Sequence, residues 1–186
     1  LTDTGNTVYA NNWNELKTYC EKSDKNYIIH LKENTNFYPD NGTDYSQQII
    51  VKNNVTIIGS EGSYFGDTKP NPISIYYTPI VTEDDSKISL KILNTTFKWM
   101  DLEKNIPAES GMFIQMGGNS KDNLLENSTF YNINSGTGHG CVYYLKRGYA
   151  TVKNCSFKNI TTEFGVLSIY DPAEDPTKNC TTAGML

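Results

Sequence analysis

Hydrophobic positions follow two different rhythms along this chain. In NNWNELKTYCEK, Trp13, Leu16 and Cys20 fall at i, i+3 and i+7, one face of a short helix. Asn12 is placed to cap it, and Glu15 three residues on makes a capping-box-like arrangement. YIIHL at 27–31 then reads as a buried strand, with His30 as a core histidine inside an apolar run. Beyond it the helical rhythm stops, and short β-like runs separated by turn residues take over.

Those runs repeat. ILNTTFKWM (92–100), LENSTFYNI (125–133) and VKNCSFKNI (152–160) share one order: Asn, a small residue, Ser or Thr, then Phe. A further copy begins at Asn179, and KNNVTIIG around Asn54 reads as a degenerate one. The asparagines at 54, 94, 127, 154 and 179 are 40, 33, 27 and 25 residues apart. A second series, GMFIQM from Gly111, GCVYYL from Gly140 and GVLSIY from Gly165, runs between them. Two series locked to one period indicate a structural repeat. The L-x-x-L-x-L signature of leucine-rich repeats is missing. The reading is an all-β fold, a right-handed parallel β-helix of the pectin-lyase-like kind, with three short strands per coil and a short N-terminal capping helix.

That reading gives each position of the phrase a task. In VKNCSF, Val152, Cys155 and Phe157 point inward and Lys153 and Ser156 outward. Asn154 sits at a tight corner, where Asn tolerates a left-handed backbone. Stacking then predicts a core column of Ile57, Phe97, Phe130 and Phe157, and a column of small residues, Val55, Thr95, Ser128, Cys155 and Cys180. The asparagines form an amide ladder. The domain plan is a single β-helix domain over 1–186. A cap helix and first strand occupy 8–31, coils occupy 32–182, and loop insertions fall near 60–87 and 100–110. Trp13 is expected to plug the open end of the core. The start at Leu1 and the restart of the repeat at Asn179 suggest part of a longer protein.

Composition narrows the function. The 186 residues carry a net charge of −5, and Lys and Arg form no block, so no nucleic-acid or anionic-membrane footprint is expected. No apolar run approaches a membrane span. Cys20, Cys141, Cys155 and Cys180 lack zinc-site spacing and are read as buried free thiols. No metal or cofactor is expected.

With NCSFKNI, NSTFYNI, the Gly-led strands and the N-terminal WNELKTYCEK…YIIHLK followed by VTIIGS in view, the chain resembles the adhesin-like surface proteins of methanogenic archaea. The resemblance spans about residues 8–182. It implies an extracellular, cell-surface protein whose partners are surface glycans or proteins of another cell, with signal and anchor outside this stretch. It supplies no catalytic residues.

Pectin-degrading enzymes offer a competing reading. TGHGC at 137–141 contains a Gly-His-Gly similar to a polygalacturonase motif. Such hydrolysis needs two carboxylates flanking the scissile bond. The family's Asn-Thr-Asp is absent, and Asp84-Asp85 lie 54 residues before His139. His139, Asp84 and Asp85 are the catalytic candidates of that alternative. A calcium-dependent lyase would need six to eight oxygen ligands, and Asp122, Glu126, Asp171, Glu174 and Asp175 read as scattered surface acids. A passive stalk is the third reading.

For an adhesin, the binding candidates are aromatic residues beside hydrogen-bonding groups. Tyr143, Tyr144, Arg147, Tyr149, Tyr170 and Asp171 lie at or just after Gly-led strands, and Tyr76 or Tyr77 is expected to extend the same groove. Seven Asn-x-Ser/Thr sites, at 41, 54, 94, 127, 154, 159 and 179, are glycan acceptors in form. The repeat explains most of them first.

Overall fold

The computed structural model describes residues 6–83, 87–102, 112–116, 120–135, 141–145, 148–162 and 166–169. A first strand, β1 (Asn6–Ala10), leads into helix α1 (Trp13–Glu21). The chain then makes five successive circuits through three sheets. The first is β2 (Tyr27–Leu31), β3 (Asn36–Phe37) and β4 (Ile49–Val51). The second is β5 (Val55–Ile58), β6 (Tyr64–Phe65), a short β7 (Ser74–Ile75) and β8 (Ile80–Thr82). The third is β9 (Leu90–Leu93), β10 (Thr96–Leu102) and β11 (Met112–Met116). The fourth is β12 (Asn123–Glu126), β13 (Thr129–Asn134) and β14 (Cys141–Leu145), and the fifth is β15 (Ala150–Lys153), β16 (Ser156–Thr161) and β17 (Leu167–Ile169). One sheet runs β1-β2-β5-β9-β12-β15, a second β3-β6-β10-β13-β16 with β7 also on β10, and a third β4-β8-β11-β14-β17. Every strand pair among the described residues is parallel, and apart from α1 and a 3-10 turn at Tyr45–Gln47 their regular structure is β.

In-register stacking puts like residues over like. The first sheet sends Ile29, Ile57, Ile92 and Leu125 inward, and the third sends Ile49, Ile80 and Ile114. The second contributes Phe37, Phe65, Phe97, Phe130 and Phe157. The middle rings lie nearly parallel, with centroids 4.9, 4.4 and 4.8 Å apart from Phe65 to Phe157. Fully burying one such side chain is worth about 1.5–3 kcal/mol, and offset stacking adds to it.

Before each Phe the backbone must turn between sheets, and it does so through a left-handed residue: Asn34, Gly62, Asn94, Asn127 and Asn154, with φ between 51° and 68°. Asn tolerates this conformation better than larger residues, and Gly does so freely. The next residue closes the corner. Thr95 Oγ1, Ser128 Oγ and Cys155 Sγ donate to the carbonyls two residues back, at 2.9, 3.0 and 3.4 Å. Asn127 Nδ2 donates to Asn94 Oδ1 at 3.3 Å and Asn154 Nδ2 to Asn127 Oδ1 at 3.2 Å, the expected amide ladder.

The early members of both columns differ from expectation. Ile57 belongs to the first sheet, between Ile29 and Ile92, and Val55 pairs with Tyr27 and Leu90. Their expected places are taken by Phe37 with Phe65 and by Thr35 with Ser63. Asn54 precedes β5 and accepts from Ser89 N–H at 2.9 Å. The cause is a wider corner: Gly59 to Gly62 occupy the place that Asn94 fills alone, since Gly59 N–H donates to Leu93 O as Asn94 N–H does to Glu126 O. The insertion expected near 60–87 contains β6, β7 and β8, and its excursion is 66–73. The one near 100–110 is entered by β10 as far as Leu102, and residues 103–110 lie outside the described set.

The N-terminal end follows the helix pattern. Asn12 Oδ1 accepts from Glu15 N–H at 2.9 Å, while the Glu15 carboxylate takes the N–H of Asn11 rather than of Asn12. Trp13, Leu16 and Cys20 are buried. Trp13 meets Phe65 and Phe113 edge-on, and its Nε1–H donates to Gln47 O at 2.8 Å. Asn53 donates to the carbonyls of Tyr19, Cys20 and Lys22, tying down the helix C-terminus. His30 is half-buried on the outward side of β2 and stacks on exposed Tyr9, so it is not a core residue. The alternation of the strand buries Tyr27, Ile29 and Leu31 instead. Cys20 and Cys155 are free thiols, and burial raises the pKa of both.

Candidate functional site

A second left-handed column follows the phenylalanines. Trp99, Asn132 and Asn159, each two residues after its Phe, have φ of 52°, 54° and 49°. Asn159 Nδ2 donates to Asn132 Oδ1 at 2.6 Å, a second amide ladder. Trp99 breaks the series. A bulky side chain in the left-handed region is a genuine outlier, about 1–2 kcal/mol uphill. Its half-buried indole meets Tyr64 edge-on at 6.1 Å. The ammonium of Lys98 lies 3.9 Å from the Tyr64 ring centre and 4.3 Å from that of Trp99, which holds the cation against both rings. Burial, with the nearby Asp67 charge second, raises the Tyr64 pKa.

Trp99 lines an open groove of about 460 Å³ over the outer face of β10, β13 and β16. Its floor crosses three circuits: Trp99, Asn132 and Asn159 in one row, Asp101, Asn134 and Thr161 in the next. Pro70, Asn71 and Pro72 form one wall. Asp67 shapes that wall by accepting from Thr68 N–H at 2.6 Å and Ile73 N–H at 3.0 Å. Gly66 lets it approach: at φ 141°, a Cβ there would sit 1.6 Å from Lys98 O. Beneath, the buried Tyr38 hydroxyl donates to Ile73 O at 3.1 Å and accepts from Asp101 N–H at 3.3 Å, and burial raises its pKa.

Asp101 accepts from Ser74 Oγ and, at 2.6 Å, from Asn134 Nδ2. Asn134 Oδ1 is shut off from solvent and has no hydrogen-bond partner among the described residues. Such orphans are rare and call for an explanation. The exposed Asn132 Nδ2 and Asn159 Oδ1 likewise make no bond among these residues. The groove therefore offers one aromatic face, amide donors and acceptors, and one carboxylate.

The residues singled out by sequence lie elsewhere. Tyr76 is 37% exposed between β7 and β8, where its carbonyl accepts from Tyr45 Oη at 3.0 Å. Tyr77 is only 4% exposed: its ring packs on Tyr45 and its hydroxyl donates to Asn41 O, so it is a structural residue whose pKa burial raises. Tyr149 is 66% exposed just before β15, with Lys121 over its ring at 6.0 Å. Tyr76 thus precedes a strand of the third sheet while Tyr149 follows one, so they do not extend one groove. Register puts Tyr143 in the row of Ile49, Ile80 and Ile114, and Tyr144 in that of Ile50, Val81 and Gln115. Arg147, Tyr170, Asp171, His139, Asp84 and Asp85 lie outside the described residues. Asp122 and Glu126 form surface ion pairs with Lys91 and Lys153.

The groove was visible in the repeat as a mismatch: Phe-Lys-Trp-Met where the other copies read Phe-Tyr-Asn-Ile and Phe-Lys-Asn-Ile. Comparison with family models, curated proteins and solved structures returns no match.

Proposed function

We propose that this chain is a stretch of right-handed parallel β-helix from a cell-surface protein, and that it adheres through its lateral face, without catalysis, to glycan or protein on another cell. Five circuits through three parallel sheets support the fold, since crossovers between parallel strands are right-handed in nearly every case. The capping helix and the two amide ladders fit the same architecture. The observation that carries the function is the strained Trp99 facing an open, amide-lined groove. Backbone strain held at one position of an otherwise regular repeat is a mark of a working surface. The one carboxylate lining the groove among the described residues, Asp101, is already engaged by Ser74 and Asn134, an arrangement suited to holding hydroxyls.

The test is attachment of cells to immobilised domain, for the native sequence and for Trp99→Asn, which copies the other circuits. Attachment that is lost in the variant supports the adhesin. Equal attachment by both overturns the Trp99 groove as the adhesive surface, and attachment by neither overturns the adhesin and leaves a stalk. Shortened polysaccharide chains after incubation, read by mass spectrometry, would revive the enzyme reading.

A further inference from the structure

Resting on that adhesive reading, we infer that the groove binds a neutral, linear glycan lying along the stack of circuits, with one sugar on the Trp99 indole and the next two over Asn132 and Asn159. Three features point to this ligand. First, Trp99 is the aromatic side chain among the residues lining the groove, and a pyranose ring has an apolar face to lay on an indole. Second, the amides beyond it present both a donor and an acceptor, Asn132 Nδ2 and Asn159 Oδ1, that are unused among the described residues, and hydroxyls answer both. Third, neighbouring strands lie about 4.8 Å apart, close to the length of one pyranose unit in an extended chain, so each circuit meets one sugar.

Charge selects within the glycans. Among the described residues, Asp101 is the one charged residue lining the groove, and Asp67 stands behind its wall. Two lysines flank the lining residues: Lys98, held against the Tyr64 and Trp99 rings, and exposed Lys158 beside Asn159. The chain's net charge is −5. A uronate or sulfated chain would bring its own anions to the Asp101 carboxylate, whereas sugar hydroxyls can donate to Asp101.

The experiment titrates the ¹⁵N-labelled domain with neutral gluco- and manno-oligosaccharides of one to four units and with galacturonic oligomers, following the Trp99 indole and the Asn132, Asn134 and Asn159 side-chain amides. Neutral oligomers are expected to shift these signals, with affinity rising up to three units and then levelling. Trp99→Asn, with its backbone spectrum intact, should bind at least tenfold more weakly. Stronger binding by galacturonate at the same signals overturns the neutral ligand while the adhesive reading stands. So does Trp99-dependent cell attachment with no saccharide response, which points to a protein partner. Affinity that does not rise with length overturns the axial placement. No saccharide response together with attachment independent of Trp99 removes both readings.

Discussion

Two corners flank the phenylalanine ladder, and they are built by the same rule to different ends. The corner before each Phe holds Asn or Gly in all five circuits, always left-handed, and a small hydroxyl or thiol residue follows every time. The corner after it holds Asn in the fourth and fifth circuits and Trp in the third. The first corner is regular because backbone geometry and an amide ladder are all it supplies. The second keeps that geometry at Trp99, Asn132 and Asn159 alike and departs from the rule in residue type, where Trp99 lines a groove. In a repeat, then, the regular positions report the fold and the costly exception reports the use.

The comparison can be broken at the ladder that both corners serve. Phe97→Ala removes a fully buried ring stacked on Phe65 and Phe130, and should cost about 3–5 kcal/mol in urea unfolding. Asn127→Ala tests the first corner. It combines left-handed strain of about 1–2 kcal/mol with loss of two ladder bonds to Asn94 and Asn154. A drop of about 2 kcal/mol is expected, and Asn127→Gly should recover roughly half, since it relieves only the strain.

Alkaline titration separates the corners by chemistry. Tyr38, beneath the second, has a pKa raised by burial from an ordinary 10.0, as have Tyr77 and, from 9.0, Cys20. The unfolded chain loses these protons first, so stability is full below about pH 9 and falls as pH climbs through 9 and 10 towards the folded values. Tyr38→Phe should flatten part of that fall. The amides of the first corner do not titrate, and its part in the fall comes through the Cys155 thiol, whose pKa burial raises. The smallest effect on stability is expected from Trp99→Asn. Relief of left-handed strain offsets the lost Tyr64 contact, leaving a change within about 1 kcal/mol.

The sequence showed how much of this is local. Asn-small-x-Phe encodes turn, corner bond and ladder within four residues, so the circuits from Asn94 to Phe157 were legible, as was the helix that places Trp13 on the core. The earlier circuits were misaligned because Gly59 to Gly62 widen the corner without leaving an Asn there, although GSYF at 62–65 and NTNF at 34–37 keep the Phe three residues on. The groove was harder. Its floor comes from β10, β13 and β16, its wall from 70–72 and its underside from Tyr38, so no single stretch of chain contains it. Tyr77 misled for the opposite reason: a tyrosine beside an exposed one gives no local sign that its ring is packed on Tyr45.

The most direct test measures cell attachment and the urea midpoint of Trp99→Asn side by side with the native sequence. Attachment lost while the midpoint holds is the result expected of a corner strained for binding. Attachment kept, or a midpoint that falls as far as that of Asn127→Ala, would mean that Trp99 is one more structural residue of the repeat.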